Sequence, residues 1–232
     1  MRILCVDTSS KEIAIGLFDG AKTLSEEYIN ASRNYNSVLM PIIKATLDKA
    51  GLRPADIDIF ASTLGPGSFT GIRVGMAAMK GFSQALDRGF AGATTLELLA
   101  AGLKPPVSCW AALDAGRGEV YAAYFKVNRA GSREMGPFKL ETLEKFASRV
   151  KRGAIVATLS RETIGGRLRE LKSSINIAEA EHISVRVFNG IILEKRKVPA
   201  RKELYEAAPV YIRASEAEAA LKRKKTEMRK KK

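Results

Sequence analysis

Histidine is nearly absent from this 232-residue chain: His182 is the only one. A zinc or iron centre built on two histidines of this chain is therefore excluded, because such centres draw on imidazole and thiolate donors. A carboxylate-held magnesium ion beside a nucleotide stays open. A Ser-His-Asp or Cys-His hydrolase would have to use His182, which lies in the polar stretch Glu179 to Ser184 with no nucleophile motif beside it. A place at the surface or at the start of a helix is expected for it instead. Cysteine is equally scarce. Cys5 and Cys109 each sit inside an apolar run, as buried thiols of a reducing compartment do. No apolar run reaches the ~18 residues of a membrane span. Ile3-Leu4-Cys5-Val6 is too short for a secretory leader and has no small-residue cleavage site after it, so a cytoplasmic location and no membrane partner are expected.

Negative charge is also short, with 25 Asp and Glu against 39 Lys and Arg, a net +14. The excess is uneven. Residues 222–232 hold eight Lys or Arg and one Glu, half of the whole surplus. Like charges in a block repel and keep a segment disordered. Such a tail suits a polyanion, whereas the rest of the chain is only moderately basic and does not demand a body-wide nucleic-acid surface.

What is present is a regular alternation of strands and helices. Residues 3–7, 13–18 and about 22–29 read as strands, the last two joined by the turn signal Asp19-Gly20. Val38, Leu39, Ile42, Ile43, Leu47 and Ala50 recur at helical spacing and Gly51 ends the run. Residues 57–63 read as a strand, GPGSFTG at 65–71 opens a helix to about Leu86, and a short strand near Phe90 precedes a helix at 95–101. The order βββαβαβα predicts an α/β half-domain of actin-like, ribonuclease-H-like type. Lys104-Pro105-Pro106 marks the expected boundary. Beyond it the opening pattern returns: Asp7, Glu12 and Phe18 have the same offsets as Asp114, Glu119 and Phe125. The expected organisation is a duplicated actin-like fold, with a first half over 1–104, an abbreviated second half over 105–221 and a basic tail over 222–232. The second half reads as a strand at 154–159, a short helix near 166–173, a helix from about Val185 and the segment PVYIR at 209–213.

Two sets of residues are candidates for function. In a duplicated fold the turns at Asp7-Thr8-Ser9-Ser10 and Asp114-Ala115-Gly116-Arg117 face one another across a cleft, where backbone N–H groups and hydroxyls can hold phosphate and an Asp can hold a metal-bound water. Gly65, Gly67, Ser68, Thr70 and Arg73 add a glycine-rich turn at a helix N-terminus, which reads equally as an anion cradle or as a structural strand-to-helix turn. The helix after it carries Gly71, Gly75 and Ala78 at close spacing beside Met76, Met79 and Phe82. Glycine inside a helix costs about 1 kcal/mol against alanine, so close packing must compensate. Leu39, Ile43 and Leu47 form a comparable stripe on the helix before. Both stripes read either as cover for the sheet or as a surface for a partner, and the second is expected, with Gly75 and Ala78 admitting a facing helix and Leu39, Ile43, Leu47, Met76, Met79 and Phe82 forming the contact.

VDTSSKEIAIGLF, LGPGSFTGIRVGMAAMKGFSQAL, LDAGRGEVYAAYF and PVYIR, in that order, resemble the TsaB (YeaZ) family over nearly the whole chain except the tail. GPGSFTGIRVG is the specific part. The resemblance implies a cytoplasmic, non-catalytic paralogue of TsaD, the subunit that transfers a threonylcarbamoyl group to an adenosine beside the tRNA anticodon. It implies a homodimer when alone and pairing with a TsaD-like partner through the helices of the first half, in an assembly with a TsaE-like ATPase. The catalytic subunit carries a histidine pair for its metal, which a chain with one histidine lacks. No cofactor is then required by this chain, and ATP or ADP with magnesium would be held weakly at the complex interface. The sequence departs from the family in having Tyr35-Asn36-Ser37 where relatives often carry a His-Ser pair. A glycoprotease-type peptidase would need a nucleophile–base pair. An actin-like kinase would need an adenosine-binding glycine motif and a catalytic Asp, with Gly165-Gly166 as the candidate glycines. A pure tRNA-binding module rests on charge alone.

Counterion release makes the tail testable. Removing residues 222–232 is expected to weaken tRNA binding and to flatten its salt dependence by roughly 0.7–0.9 in log–log slope for each phosphate that the tail neutralises. Titrations from low to physiological salt with an unchanged slope would rule the tail out as the RNA-binding segment.

Overall fold

In the computed structural model, residues 1–31, 34–129, 131–159, 164–194 and 206–212 are described, 132 and 133 by their backbone alone. The basic tail and Arg213 of PVYIR fall outside them. The first half builds β1 (Arg2–Asp7), β2 (Glu12–Asp19), β3 (Lys22–Asn30), α1 (Tyr35–Lys49), β4 (Ile59–Thr63), α2 (Phe69–Ala85), β5 (Gly89–Ala93) and α3 (Thr95–Ala101). These are the eight elements expected from the apolar periodicity. Its sheet runs β3-β2-β1-β4-β5, antiparallel from β3 to β1 and parallel from β1 to β5. β1 and β2 are buried on both faces, as central strands between two helical layers must be. α1 and α2 cover one face, closing a core around Leu4, Ile15, Leu39, Ile43, Phe60 and Met79.

The second half repeats this connectivity. β6 (Val107–Gly116) and β7 (Glu119–Asn128) are antiparallel, while β6, β10 (Ile155–Leu159) and β11 (Asn176–Ala180) are parallel. β8 (Gly131–Glu134) and β9 (Lys139–Thr142) both pair with β7 and together take the place of β3. The sheet runs β11-β10-β6-β7-β8. Among the described residues the half is thus shortened in its first two helices rather than its strands. α4 (Leu143–Arg149) and α5 (Ile164–Leu171) have 7 and 8 residues against 15 and 17 for α1 and α2. Four-residue strands give no alternation to read, which is why β8 and β9 are not evident in the sequence.

The third helices are exchanged. α3 packs on the second sheet, against β6, β7 and β8, while α6 (Val185–Glu194) packs on the first, against β1, β2 and β5. α3 starts from a capping box in which Glu97 N donates to Thr94 Oγ1 and Thr94 N donates to Glu97 Oε2. α6 comes close because Gly16 of β2 leaves room: a Cβ there would sit 2.8 Å from Val185 Cγ2. Asn189 Nδ2 also donates to Gly20 O at 2.9 Å. One core therefore joins both sheets, with Cys5 and Phe18 beside Leu96, Leu99, Cys109, Phe125 and Phe188. Both cysteines are buried and unpaired.

Because that core is shared, Phe188→Ala is expected to cost about 3–5 kcal/mol while both halves still unfold in one transition. Denaturant unfolding followed by Trp110 fluorescence and by far-UV circular dichroism checks it. Two separated transitions in the parent protein would show the halves to be independent.

Candidate functional site

A cleft of about 780 Å³ opens between the halves. Its walls are the Ser9–Glu12 turn, the Gly67–Thr70 loop, the Asp114–Gly116 turn and the Glu181-His182 pair. The two hairpin turns face one another as the duplication requires. They share a local device: Ser9 N donates to Asp7 Oδ1 at 3.0 Å and Gly116 N to Asp114 Oδ1 at 2.7 Å. In each, the carboxylate two residues back fixes the turn. They differ in exposure. Asp114 is exposed at the cleft, whereas Asp7 is 1% exposed and lies beneath the lining.

Burial pushes the Asp7 carboxyl above the usual carboxylate range. The Ser9 hydroxyl and amide and the Thr63 hydroxyl pull it partly back, and Glu12 adds to the rise. Those hydroxyls lie close enough to favour the charged form, yet Asp7 Oδ2 makes no hydrogen bond of sound geometry.

The glycine-rich turn proves to be fitted to the first hairpin. Ser68 N donates to Ser9 O at 2.6 Å and Thr8 Oγ1 donates to Gly71 O at 2.7 Å. A Cβ on Gly67 would lie 2.2 Å from Ser9 O, on Gly71 2.0 Å from Thr8 O, and on Gly75 2.3 Å from Thr8 Oγ1. The helix N-terminus is capped by Ser68, whose Oγ accepts from Gly71 N at 3.2 Å. Gly65, at φ +92, accepts from Thr95 N and stands against Val210 O. Two amides of the turn, those of Ser68 and Gly71, are thus engaged within the protein, and the glycines serve close packing against the first hairpin. Arg73 stands away from the cleft, with its guanidinium 4.1 Å from the Phe69 ring and Nε donating to Phe69 O. Among the described residues, the cleft brings one lysine, Lys11, together with Glu12, Asp114 and Glu181. Gly165 packs on Glu179 and Ile177, and neither it nor Gly166 lines the cleft.

The stripe proposed for a partner divides. Leu39, Ile43, Leu47, Met76 and Met79 are buried in the core of this chain, Met79 completely. Gly75 is taken up by Thr8. Their expected place on a contact surface is corrected: the small and flexible side chains fill the space between helix and sheet. Ala78 and Phe82 are half-buried and border the same core. The outward faces of the two helices carry other residues, namely Met40, Pro41 and Ala45 on α1 and Ala77, Gly81 and Ala85 on α2, all exposed. Spacing four apart puts the latter three in one row.

His182 stands just before α6, its ring stacked at 3.6 Å on Tyr28 of β3. The Tyr28 hydroxyl accepts from Val185 N and donates to Glu26, so the histidine belongs to a clasp between the halves. Sequence reasoning misses Tyr35, whose hydroxyl donates to Ser10 O and holds the turn from the helix side. Its position four residues before Leu39 is the signal. It also misses Thr95 and Tyr121 of the cleft, which belong to no motif.

With this geometry in view, comparison with known proteins gives a consistent result. The model of the TsaD family, tRNA N6-adenosine threonylcarbamoyltransferase, matches residues 28–178. The tRNA threonylcarbamoyladenosine biosynthesis protein TsaB of Bacillus subtilis (strain 168) is 27% identical over 229 residues, covering 94% of this chain and 97% of that one. The protein of the same name from Escherichia coli (strain K12) is 30% identical over 134 residues, 56% of this chain and 58% of its own. The solved structure of YeaZ from Pseudomonas aeruginosa superposes with a TM-score of 0.73 at 23% identity, covering 90% of this chain and 99% of that chain. That likeness is one of fold, the duplicated actin-like, ribonuclease-H-like architecture.

Asp7 yields a prediction with a definite sign. A carboxyl whose pKa is raised on folding favours the folded state while it is protonated, and that contribution is lost as pH rises through the raised value. Asp7→Asn keeps the Oδ1 acceptor and removes the buried charge. It is expected to match the parent in acid and to melt higher at pH 7, by about 2–4 °C per kcal/mol recovered. Melting curves across that range that stay superimposed would show that Asp7 bears no such cost.

Proposed function

Because the chain belongs to the TsaD-type tRNA N6-adenosine threonylcarbamoyltransferase family, on its TsaB (YeaZ) branch, we propose that it is the non-catalytic supporting subunit of the assembly that makes threonylcarbamoyladenosine in tRNA. The observation that carries this reading is a family match over 28–178 in a chain with a single histidine, and that one is stacked on Tyr28. Its work is done in the cytoplasm, and it binds a paralogue of the transferase, which in turn engages a TsaE-like ATPase. By itself it pairs with a second copy.

The pairing surface in this proposal is the outward face of α1 and α2. Met40, 48% exposed, stands there beside Ala45, with Ala77, Gly81 and Ala85 on the neighbouring helix. Such a row lets a facing helix approach closely. A second copy, or a paralogue with the same two helices, meets that face through a two-fold or pseudo-two-fold arrangement. The two pairings then compete for one surface. No cofactor is needed for this role. Any ATP or ADP with magnesium binds weakly and at the complex interface, a reading supported by the bonds that the Ser68 and Gly71 amides already make and by the carboxylates of the cleft.

The test is capture of the transferase paralogue by this chain, with and without nucleotide. Ala77→Glu and Met40→Asp, both at exposed positions, are expected to weaken capture and self-association at least tenfold, since an unpaired charge buried in an interface costs several kcal/mol. Both variants should melt like the parent. Parental affinity in both would remove this face as the pairing surface.

A further inference from the structure

Beneath the cleft lies a cluster of polar side chains that the fold buries and leaves unserved. Asp7, Thr63 and Ser9 are 1%, 0% and 4% exposed. Asp7 Oδ2, Thr63 Oγ1 and Ser9 Oγ make no hydrogen bond, although buried polar atoms are satisfied in the great majority of cases. Topology brings these groups together. Asp7 and Thr63 end the adjacent parallel strands β1 and β4, and the register that pairs Val6 with Ser62 sets them side by side. Alternation along each strand puts both on the inner face, with Cys5 and Ala61. The hydroxyls of Ser9 and Thr63 lie close enough to Asp7 to favour its charged form. Thr95, which opens α3 directly after β5, is 1% exposed and its Oγ1 is equally without a partner. Ser9 and Thr95 both line the cleft, so the cluster has a mouth.

We infer that this cluster is a binding site for a monovalent alkali-metal cation, with the Asp7 carboxylate as its charged ligand and the Ser9 and Thr63 hydroxyls as neutral ones. Carboxylate and hydroxyl oxygens are hard donors and suit a hard cation rather than a thiophilic one. One positive charge balances the one carboxylate, whose burial without a counter-charge is costly. Glu12 stands near enough to disfavour ionisation of Asp7 further, which adds to the demand for a positive charge. A divalent ion would ask for more charged ligands, and among the described residues no group of three His, Cys, Asp or Glu is placed to hold a metal. A water molecule would bond the same oxygens but bring no charge, and it is the competing occupant. The duplication supplies a control. Asp114 holds the matching place in the second turn and accepts from the amide two residues on, as Asp7 does, yet it is exposed. The turn itself therefore does not need a buried carboxylate, and burial among hydroxyls is particular to the first half. The site lies behind Ser9, whose carbonyl takes the Ser68 amide. An ion there steadies the joint between the first hairpin and α2. It has no part in the α1–α2 face, and the inference stands apart from the supporting-subunit role.

The probe is the alkali-metal ion itself. Melting of the full-length chain at a mildly alkaline pH is followed in lithium, sodium, potassium and rubidium chlorides, each exchanged against choline chloride at constant total salt. At least one ion is expected to raise the melting temperature in a saturating manner, by roughly 3–6 °C at about ten times its dissociation constant. Asp7→Asn should abolish that rise. In choline alone the variant keeps the gain over the parent described above, and the added ion narrows the gap. Ser9→Ala should move saturation to higher concentration, whereas Asp114→Asn should leave the rise intact. Thallium(I), used as a heavy stand-in, should give an anomalous diffraction peak beside Asp7. Equal melting in choline and in every alkali chloride overturns the inference and leaves water as the occupant. A rise that grows without saturation in every salt, or one that survives Asp7→Asn, overturns it too, because either effect arises elsewhere. If Ser9→Ala fails to fold, Asp7→Asn and the thallium peak decide.

Discussion

The rest of the structure depends on how closely the first hairpin turn is pressed into the start of α2. Thr8 and Ser9 occupy the space that side chains at 67, 71 and 75 would fill. The backbone of Ser9 takes the amide of Ser68, and the hydroxyl of Thr8 reaches the carbonyl of Gly71. Those contacts set the height of α2 over the sheet and so the position of Met76 and Met79 in the core. They also hold one wall of the cleft at a fixed distance from Asp114. Glycine is required at Gly67 and Gly71 by the nearness of backbone carbonyls and at Gly75 by the Thr8 hydroxyl, at Gly67 also by a positive φ.

Much of this was legible in the sequence, and where it was not the reason is physical. The first half could be read because its apolar periods are long and its stops are glycines; the order βββαβαβα followed directly, and the matched offsets around Asp7 and Asp114 disclosed the duplication. The short strands β8 and β9 carry too few residues to show a period. The exchange of α3 and α6 has no local signature at all, since an amphipathic helix does not declare which sheet it covers. The same ambiguity misled the reading of the α2 stripe. Gly75 and Met79 mark a place of close packing, but periodicity cannot say whether the neighbour belongs to the same chain. The structure gives these residues to the core, and the exposed row Ala77, Gly81, Ala85 lies on the other side of the helix.

The two halves, alike in connectivity, have diverged in what their turns present. Asp7 is sunk beneath its turn and poorly served by hydrogen bonds, while Asp114 is at the rim. Symmetry of backbone thus coexists with asymmetry of exposure, and the described residues of the cleft include Lys11 beside Glu12, Asp114 and Glu181.

The crossed placement of α3 and α6 bears on how the protein is made. α6, residues 185–194, supplies the cover for the inner face of a sheet built from residues 2–93. During synthesis, which proceeds N-terminus first at about 5–20 residues/s, that sheet face lacks the helix packed directly on it, and α3 reaches only part of the same core. The core under α1 and α2 can close from the first half alone, but the core on the opposite face closes only when α6, about ninety residues further on, has emerged. Such long-range closure raises contact order and slows folding, making the nascent first half the stage at which this chain most needs a holding chaperone.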